Sequence, residues 1–156
     1  MTEAVNSPRK KVLAVASSGG HWMQLLRVVP ALQGHELVFV TVLESSSSQV
    51  PGHRFYVVRD ANRWNKLGLV TLAAKMASIV HKEKPDFVVS TGAAPGFFAL
   101  LFGHLSGART IWIDSIANID RLSLSGKLAG RLADLWLTQW PHLARTKGPH
   151  YAGAIF

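Results

Sequence analysis

The sequence predicts an α/β fold, a Rossmann-like parallel sheet with helices on both faces. Three observations carry this expectation. Short apolar runs alternate along the chain with segments whose apolar residues recur at helical spacing. The short runs are almost continuously apolar, as strands buried on both faces are. Two of the runs break off into loops of small residues, "SSGGH" (17–21) and "STGAAPG" (90–96), and each loop opens a helix.

The first strand is "KVLAVAS" (11–17). The helix after it, "HWMQLLRVVPALQG" (21–34), has Trp22, Leu25, Leu26, Val29 and Leu32 at helical spacing and a glycine stop. Pro30 lies inside it and predicts a kink or an early end. "HELVFVTV" (35–42) reads as a strand, "LESSSSQVPG" (43–52) as a polar loop and "RFYVVR" (54–59) as a further strand. The longest helix is expected over 64–83. "PDFVVST" (85–91) is a strand, "GFFALLFGHLSG" (96–107) an apolar helix with Pro95 near its start, and "RTIWIDS" (109–115) a strand. A basic helix over 123–134 and a last strand, "LWLTQ" (135–139), follow. No internal repeat or linker divides the chain. A polar tail over 1–10 and one domain over 11–156 are expected.

The composition narrows the chemistry. The 156 residues carry 17 Lys and Arg against 9 Asp and Glu, a formal charge of +8. Such a balance suits phosphates, nucleic acid or an acidic membrane surface, and it equally suits a protein that is merely basic. The absence of cysteine excludes disulfides, thiolate metal sites and a cysteine nucleophile. The histidines and carboxylates show no metal-ligand spacing, so neither a metal nor a cofactor is expected. Residues 1–11 lack the apolar core of a secretory signal, and no run of about 18 apolar residues predicts a membrane span.

Ligands of open α/β sheets bind beyond the carboxyl ends of the strands, where the strand order reverses. With strands ordered 3-2-1 and then 4-5, that point falls between the first and fourth strands, which end in the two glycine loops. Ser18, Gly19, Gly20, Thr91 and Gly92 would then offer backbone N–H groups to a diphosphate. Each loop alone reads equally as a simple turn. Neither is the G-x-G-x-x-G fingerprint, and no G-x-x-x-x-G-K-[ST] occurs. His21, in the first helical turn, is either a solvated side chain or a neutral general base kept unprotonated by the helix dipole. Asp114, at the end of the fifth strand, either faces the crevice or caps the turn that follows. Asp134 reads as a structural turn residue.

In the long helix, Lys66, Lys75, His81 and Lys82, with Lys84 just beyond it, surround apolar residues. With Phe97, Phe98 and Phe102 they suit either an anionic membrane surface or ordinary packing on the sheet. The stretch "YAGAIF" (151–156) reads either as an apolar contact for another protein or as a further strand.

The stretches "SSGGHWMQLL", "STGAAPG" and residues 110–143, above all "RLSLSGKLAGRLAD" followed by "TQWP", resemble the acceptor-binding subunit of two-component glycosyltransferases of oligosaccharide biosynthesis. That family is similar to the N-terminal half of the transferase that adds N-acetylglucosamine to lipid I. The resemblance implies the N-terminal half of a GT-B fold and an inverting, metal-independent transfer. The acceptor would be a sugar on a polyprenyl pyrophosphate. The partner would be a separate nucleotide-sugar-binding subunit. No nucleic acid is implied. Gly19, Gly20 and His21 match the family's motif for acceptor diphosphate binding and catalysis. His21 or Asp114 would be the base, and Arg121 and Lys127 would add positive charge for the diphosphate. The donated sugar would be N-acetylglucosamine or glucuronic acid, in polysaccharide or oligosaccharide synthesis. The site of action would be the cytoplasmic face of a bacterial inner membrane, reached peripherally. Asp114 stands where many relatives carry glutamate, and the eukaryotic N-terminal anchor has no counterpart here. Two other classes compete: a non-catalytic adaptor that recruits a complete enzyme to the membrane, and a nucleotide-binding module, which lacks its acidic ribose-binding residue in register.

Overall fold

The structure is a computed structural model that describes residues 7–155. The first residues of the expected polar tail, and Phe156, lie outside the described residues. Seven strands form one sheet: β1 (Lys11–Ala16), β2 (Glu36–Thr41), β3 (Arg54–Val57), β4 (Phe87–Gly92), β5 (Arg109–Ile113), β6 (Leu135–Thr138) and β7 (His150–Tyr151). Their spatial order is β3-β2-β1-β4-β5-β6-β7, and every neighbouring pair is parallel. Among the described residues four α-helices cover the sheet: α1 (Gly20–Val28), α2 (Lys66–Glu83), α3 (Ala93–Leu105) and α4 (Leu124–Ala129).

Alternation along β1 separates the two faces. Leu13 and Val15 join Val38, Val40 and Val88 under α2 and α3, which contribute Leu72, Met76, Ile79 and Leu100. Val12, Ala14 and Ala16 join Leu37, Phe39 and Val89 under α1, which contributes Trp22 and Leu25. A strand with both faces covered needs apolar residues at every position, which is why the strands read as unbroken runs. Trp22 meets Phe39 and Phe55 edge to face, at centroid distances of 5.8 and 6.2 Å.

The expected order 3-2-1-4-5 is present and is extended by two strands. Pro30 does end α1 early: the chain tightens into a 3-10 turn over Val29–Leu32. Four expectations need correction. The polar stretch after β2 is a 3-10 helix over Glu44–Gln49. The apolar helix begins at Ala93, with Pro95 in its first turn, where a missing N–H removes no helical bond. The basic helix stops at Ala129, short of the expected 134: Arg131 and Leu132 N–H bond to the carbonyls three residues back, at Leu128 and Ala129, so the chain tightens out of the α-helix there. The last strand is β7, of which His150 and Tyr151 are the members, while Ala152–Ile155 continue without strand structure.

At the N-terminal edge of the sheet, Lys11, Glu36 and Arg54 open three adjacent strands, and Glu83 ends α2 beside them. Lys11 lies 3.4 Å and Arg54 3.3 Å from the fully buried Glu83 carboxylate, which also accepts from the Tyr56 hydroxyl. Glu36 joins Arg54 at 2.8 Å. Burial pushes the Glu83 carboxyl up, but the Tyr56 hydrogen bond and the Arg54 and Lys11 charges outweigh it, so the carboxyl is held below its usual range. Tyr56, desolvated and bonded to that carboxylate, is raised to about 12. Among the described residues no helix is long and apolar enough to cross a membrane.

Candidate active site

β1 and β4 are neighbours, with β2 beyond one and β5 beyond the other, so the strand order reverses between them. The two glycine loops therefore meet at the C-terminal edge, as their spacing predicts. The first loop turns at Gly19, whose φ of 67° and ψ of −133° suit glycine. Gly19 caps α1 through its carbonyl, which accepts from the Met23 N–H at 3.0 Å. No side chain caps this helix, so its first N–H groups, at Gly20, His21 and Trp22, have no side-chain partner. The start of α3 likewise has no side-chain cap, and Ala93 holds a positive φ of 69° there.

His21 fastens one loop to the other. Its Nδ1 lies 3.0 Å from the Thr91 carbonyl oxygen. A carbonyl can only accept, so this contact puts a ring proton on Nδ1, and in the neutral tautomer that this selects Nε2 is the acceptor. The Thr91 hydroxyl donates back to the His21 carbonyl at 2.6 Å. The imidazole packs over Gly92, where a Cβ would lie 2.4 Å from Nδ1. The Gly92 N–H donates to the Ser90 hydroxyl, so Gly92 contributes room for the ring rather than a free donor. Thr91 is buried, and Ser18 is half-buried beside the exposed Gly19 and Gly20.

Asp114 is 2% exposed and saturated. Its carboxylate accepts from Trp112 Nε1, Asn118 Nδ2, and both the backbone N–H and the hydroxyl of Ser123. Four donors on one buried carboxylate fix the loop after β5 and the start of α4. Asp134 accepts from the Thr110 N–H and so ties β5 to the turn before β6.

Two glutamines that the sequence reading passed over complete this edge. Gln24, buried on α1, donates to the Gly20 carbonyl and the Ser115 hydroxyl and accepts from the Ile116 N–H and Gln139. Gln139 donates also to the Asp114 carbonyl and accepts from the Ile155 N–H. The available signal was an amide at two positions where the surrounding pattern calls for apolar residues: among Trp22, Leu25 and Leu26, and at the end of the run 135–138.

Arg121 and Lys127 are exposed and line a pocket of about 400 Å³ with Arg63, Asn118 and Ser123. Lys66 and Lys75 are exposed on α2. Phe97, Phe98 and Phe102 are half-buried against the core, which limits what they offer to a flat surface. The apolar side chains that do protrude beside Lys66 are Trp64, Leu67 and Val70, at 80%, 77% and 65% exposure.

Residues 66–155 match the model of a family described as oligosaccharide biosynthesis protein Alg14 like. Similar curated proteins are named UDP-N-acetylglucosamine transferase subunit ALG14. The protein from Yarrowia lipolytica is 30% identical, over 86% of this chain and 75% of its own length. The one from Homo sapiens is 28% identical, over 88% and 79%. Among solved structures, MurG from Acinetobacter baumannii superposes with a TM-score of 0.74 at 16% identity, covering 93% of this chain and 45% of MurG. A UDP-GlcNAc 2-epimerase from Methanocaldococcus jannaschii gives 0.65 at 11%, covering 82% and 39%. The chain thus spans less than half of these solved structures, and its fold is that of the N-terminal half of a GT-B glycosyltransferase, as expected from the sequence. On the family match and the relatives together, the chain belongs to the Alg14-like family of oligosaccharide biosynthesis proteins.

Proposed function

We propose that this chain is the acceptor-binding subunit of a two-component glycosyltransferase. It would work with a separate nucleotide-sugar-binding subunit. The observation that carries this reading is the His21–Thr91 contact at the strand-order reversal, beside a helix start that no side chain caps. The acceptor is a sugar on a polyprenyl pyrophosphate. Its diphosphate lies against the free N–H groups at the start of α1, where the helix dipole favours negative charge. Arg121 and Lys127 supply further positive charge. His21 Nε2 takes the proton of the acceptor hydroxyl as its oxygen attacks the anomeric carbon of the donor. The bond from that carbon to the nucleotide diphosphate breaks, and the new glycosidic bond forms with inversion. Hydrogen-bonded to Thr91 and seated on Gly92, the imidazole needs little reorganisation for this step.

Asp114, the other candidate base, already accepts four hydrogen bonds, and we assign it a positioning role. The relatives' names point to UDP-N-acetylglucosamine as donor. Peripheral attachment to an anionic membrane would use Trp64, Leu67, Val70, Lys66 and Lys75. The named relatives are fungal and mammalian, and lend no support to the bacterial inner membrane expected above.

The test is to purify the chain alone and with its partner and to assay transfer from several UDP-sugars to a lipid-pyrophosphate sugar. Transfer that appears only on mixing, with UDP-N-acetylglucosamine preferred, is expected. Robust transfer by the isolated chain would overturn the two-subunit reading.

A further inference from the structure

Amides seldom sit in an apolar core without partners, and the buried Gln24 amide has every hydrogen-bonding position filled. Its Nε2 donates to the Gly20 carbonyl at 3.1 Å and to the Ser115 hydroxyl at 3.2 Å. Its Oε1 accepts from the Ile116 N–H at 3.1 Å and from Gln139 Nε2. Gln139, also buried, donates its second N–H to the Asp114 carbonyl at 3.0 Å, and its Oε1 accepts from the Ile155 N–H at 2.9 Å. Turning either amide over would set its oxygen against a carbonyl oxygen, so the contacts fix one orientation for both.

The contact with Gly20 bears on the glycine loop. Helical side chains lean towards the N-terminus, so a glutamine four residues on reaches back to a carbonyl of the first turn. The Gly20 carbonyl and the His21 N–H belong to one planar trans peptide and point in opposite directions. Drawing that carbonyl towards Gln24 therefore aims the His21 N–H out from the helix start, where no side chain caps it. A carbonyl that accepts a hydrogen bond also makes the N–H of its own peptide a stronger donor. Uncapped first turns fray. Here Gln24 ties the turn to the loop after β5, and Gln139 braces that tie from the end of β6.

We propose that Gln24, braced by Gln139, is a positioning residue for the acceptor diphosphate. Its amide holds the Gly20–His21 peptide with the N–H turned to the ligand. That the ligand is a diphosphate rests on the function proposed above, while the rigidity that Gln24 gives to the start of α1 is independent of it.

The test has two readouts. Gln24→Met keeps the length of the side chain and removes the amide. In the isolated full chain, hydrogen exchange at the Met23 N–H, which donates to the Gly19 carbonyl, should quicken about tenfold, with no change in α3. In the assembled enzyme the same variant should raise KM for the lipid-pyrophosphate sugar about tenfold, the order of one hydrogen bond to a charged group. The His21 ring keeps its seat on Thr91 and Gly92, so kcat and KM for UDP-N-acetylglucosamine should hold. Gln139→Met should act in the same direction and more weakly, and it serves should Gln24→Met misfold by circular dichroism. The double variant should fall short of the product of the two effects, because the amides act as a unit. Glu83→Gln, which loosens the buried ion pairs at the opposite edge, is the control for lost stability and should leave the acceptor KM unchanged. An acceptor KM that stays the same in Gln24→Met, or rises as much in Glu83→Gln, would overturn the positioning role. If the mixed subunits transfer no sugar and exchange at Met23 still quickens, the proposed function fails and the hold of Gln24 on the start of α1 stands. If transfer proceeds and neither exchange nor the acceptor KM moves, the positioning fails and the function stands.

Discussion

At the N-terminal edge of the sheet, Lys11, Glu36, Arg54 and Glu83 close on one another, and every ion pair among the described residues belongs to this group. At the C-terminal edge, Arg63, Arg121 and Lys127 have no such partners, α1 begins without a side-chain cap, and His21 holds an imidazole acceptor. The same fold thus treats charge in two ways. A buried carboxylate is tolerable where cations and a hydroxyl satisfy it, and removing one of those partners destabilises the fold. Donors and cations left without internal partners add little to stability, and they are free to meet a ligand. Substitutions at one edge should therefore move catalysis, and substitutions at the other should move folding.

The largest expected effect is on turnover. His21→Ala should lower kcat of the assembled enzyme by roughly two to four orders of magnitude, with acceptor binding much less affected. Steady-state kinetics, set beside thermal unfolding of the variant, check this. Near-normal turnover would remove His21 from the mechanism and would favour an adaptor role.

Gly92→Ala sharpens the contrast, because it alters the site through space alone. The added methyl would meet the His21 ring at about 2.4 Å, at a φ of 141° that side chains rarely adopt. A displaced base about 1 Å out of place costs on the order of a hundredfold in rate. A kcat that falls while the protein remains folded is the expected result. Unchanged kcat would mean that the ring orientation seen here is not the reactive one.

The smallest effect on activity, and a clear one on stability, belongs to the opposite edge. Glu83→Gln should cost about 1–3 kcal/mol, the range for a buried hydrogen-bonded group that loses its charge. Arg54, half-exposed at 53%, stays partly solvated and limits the loss. Because the Glu83 carboxyl sits below its ordinary 4.5, its stabilisation is complete above that value and fades as pH falls through the depressed one. Tyr56 behaves in the opposite sense: its neutral form is favoured, so its contribution is full below 10 and fades as pH rises towards about 12. Denaturant unfolding across pH should show an acid limb that is reduced in Glu83→Gln. Turnover per folded molecule should stay the same, and a large fall in kcat would break the division between the edges.

The sheet was legible in the sequence because burial on both faces leaves an unbroken apolar signature, and the two glycine loops marked which strands lie at the centre. What was not legible depended on contacts distant in sequence. The glycine at position 130 answers to the ring of Trp136, a packing contact that the amphipathic pattern of α4 does not contain. β7 is two residues long, too short to show a period. His21 was recognisable from its glycines, but its orienting partner, Thr91, lies 70 residues away and acts through a carbonyl that every residue possesses. Asp114 showed two faces in the sequence, and its four donors, three of them beyond its own strand, settle how it is held. On α2 the lysines were visible as a group, whereas the outward aspect of Trp64, Leu67 and Val70 depends on which side of the helix the sheet claims.

The position of β1 also bears on how the molecule comes into being. β1 is the first strand among the described residues, yet its two neighbours are β2, which follows within a few tens of residues, and β4, whose pairing joins Val12 to Phe87. On a ribosome, β1 and β2 emerge early and can pair, but the other edge of β1 stays open until β4 has been made. Long-range parallel pairing of this kind slows folding, since the loop must close before any contact repays its entropy. Meanwhile an apolar strand with a free edge is exposed to other chains. The segment that ends in the first glycine loop is thus the one left unfinished longest during synthesis, and slowed translation after residue 60 should raise the aggregation of nascent chains.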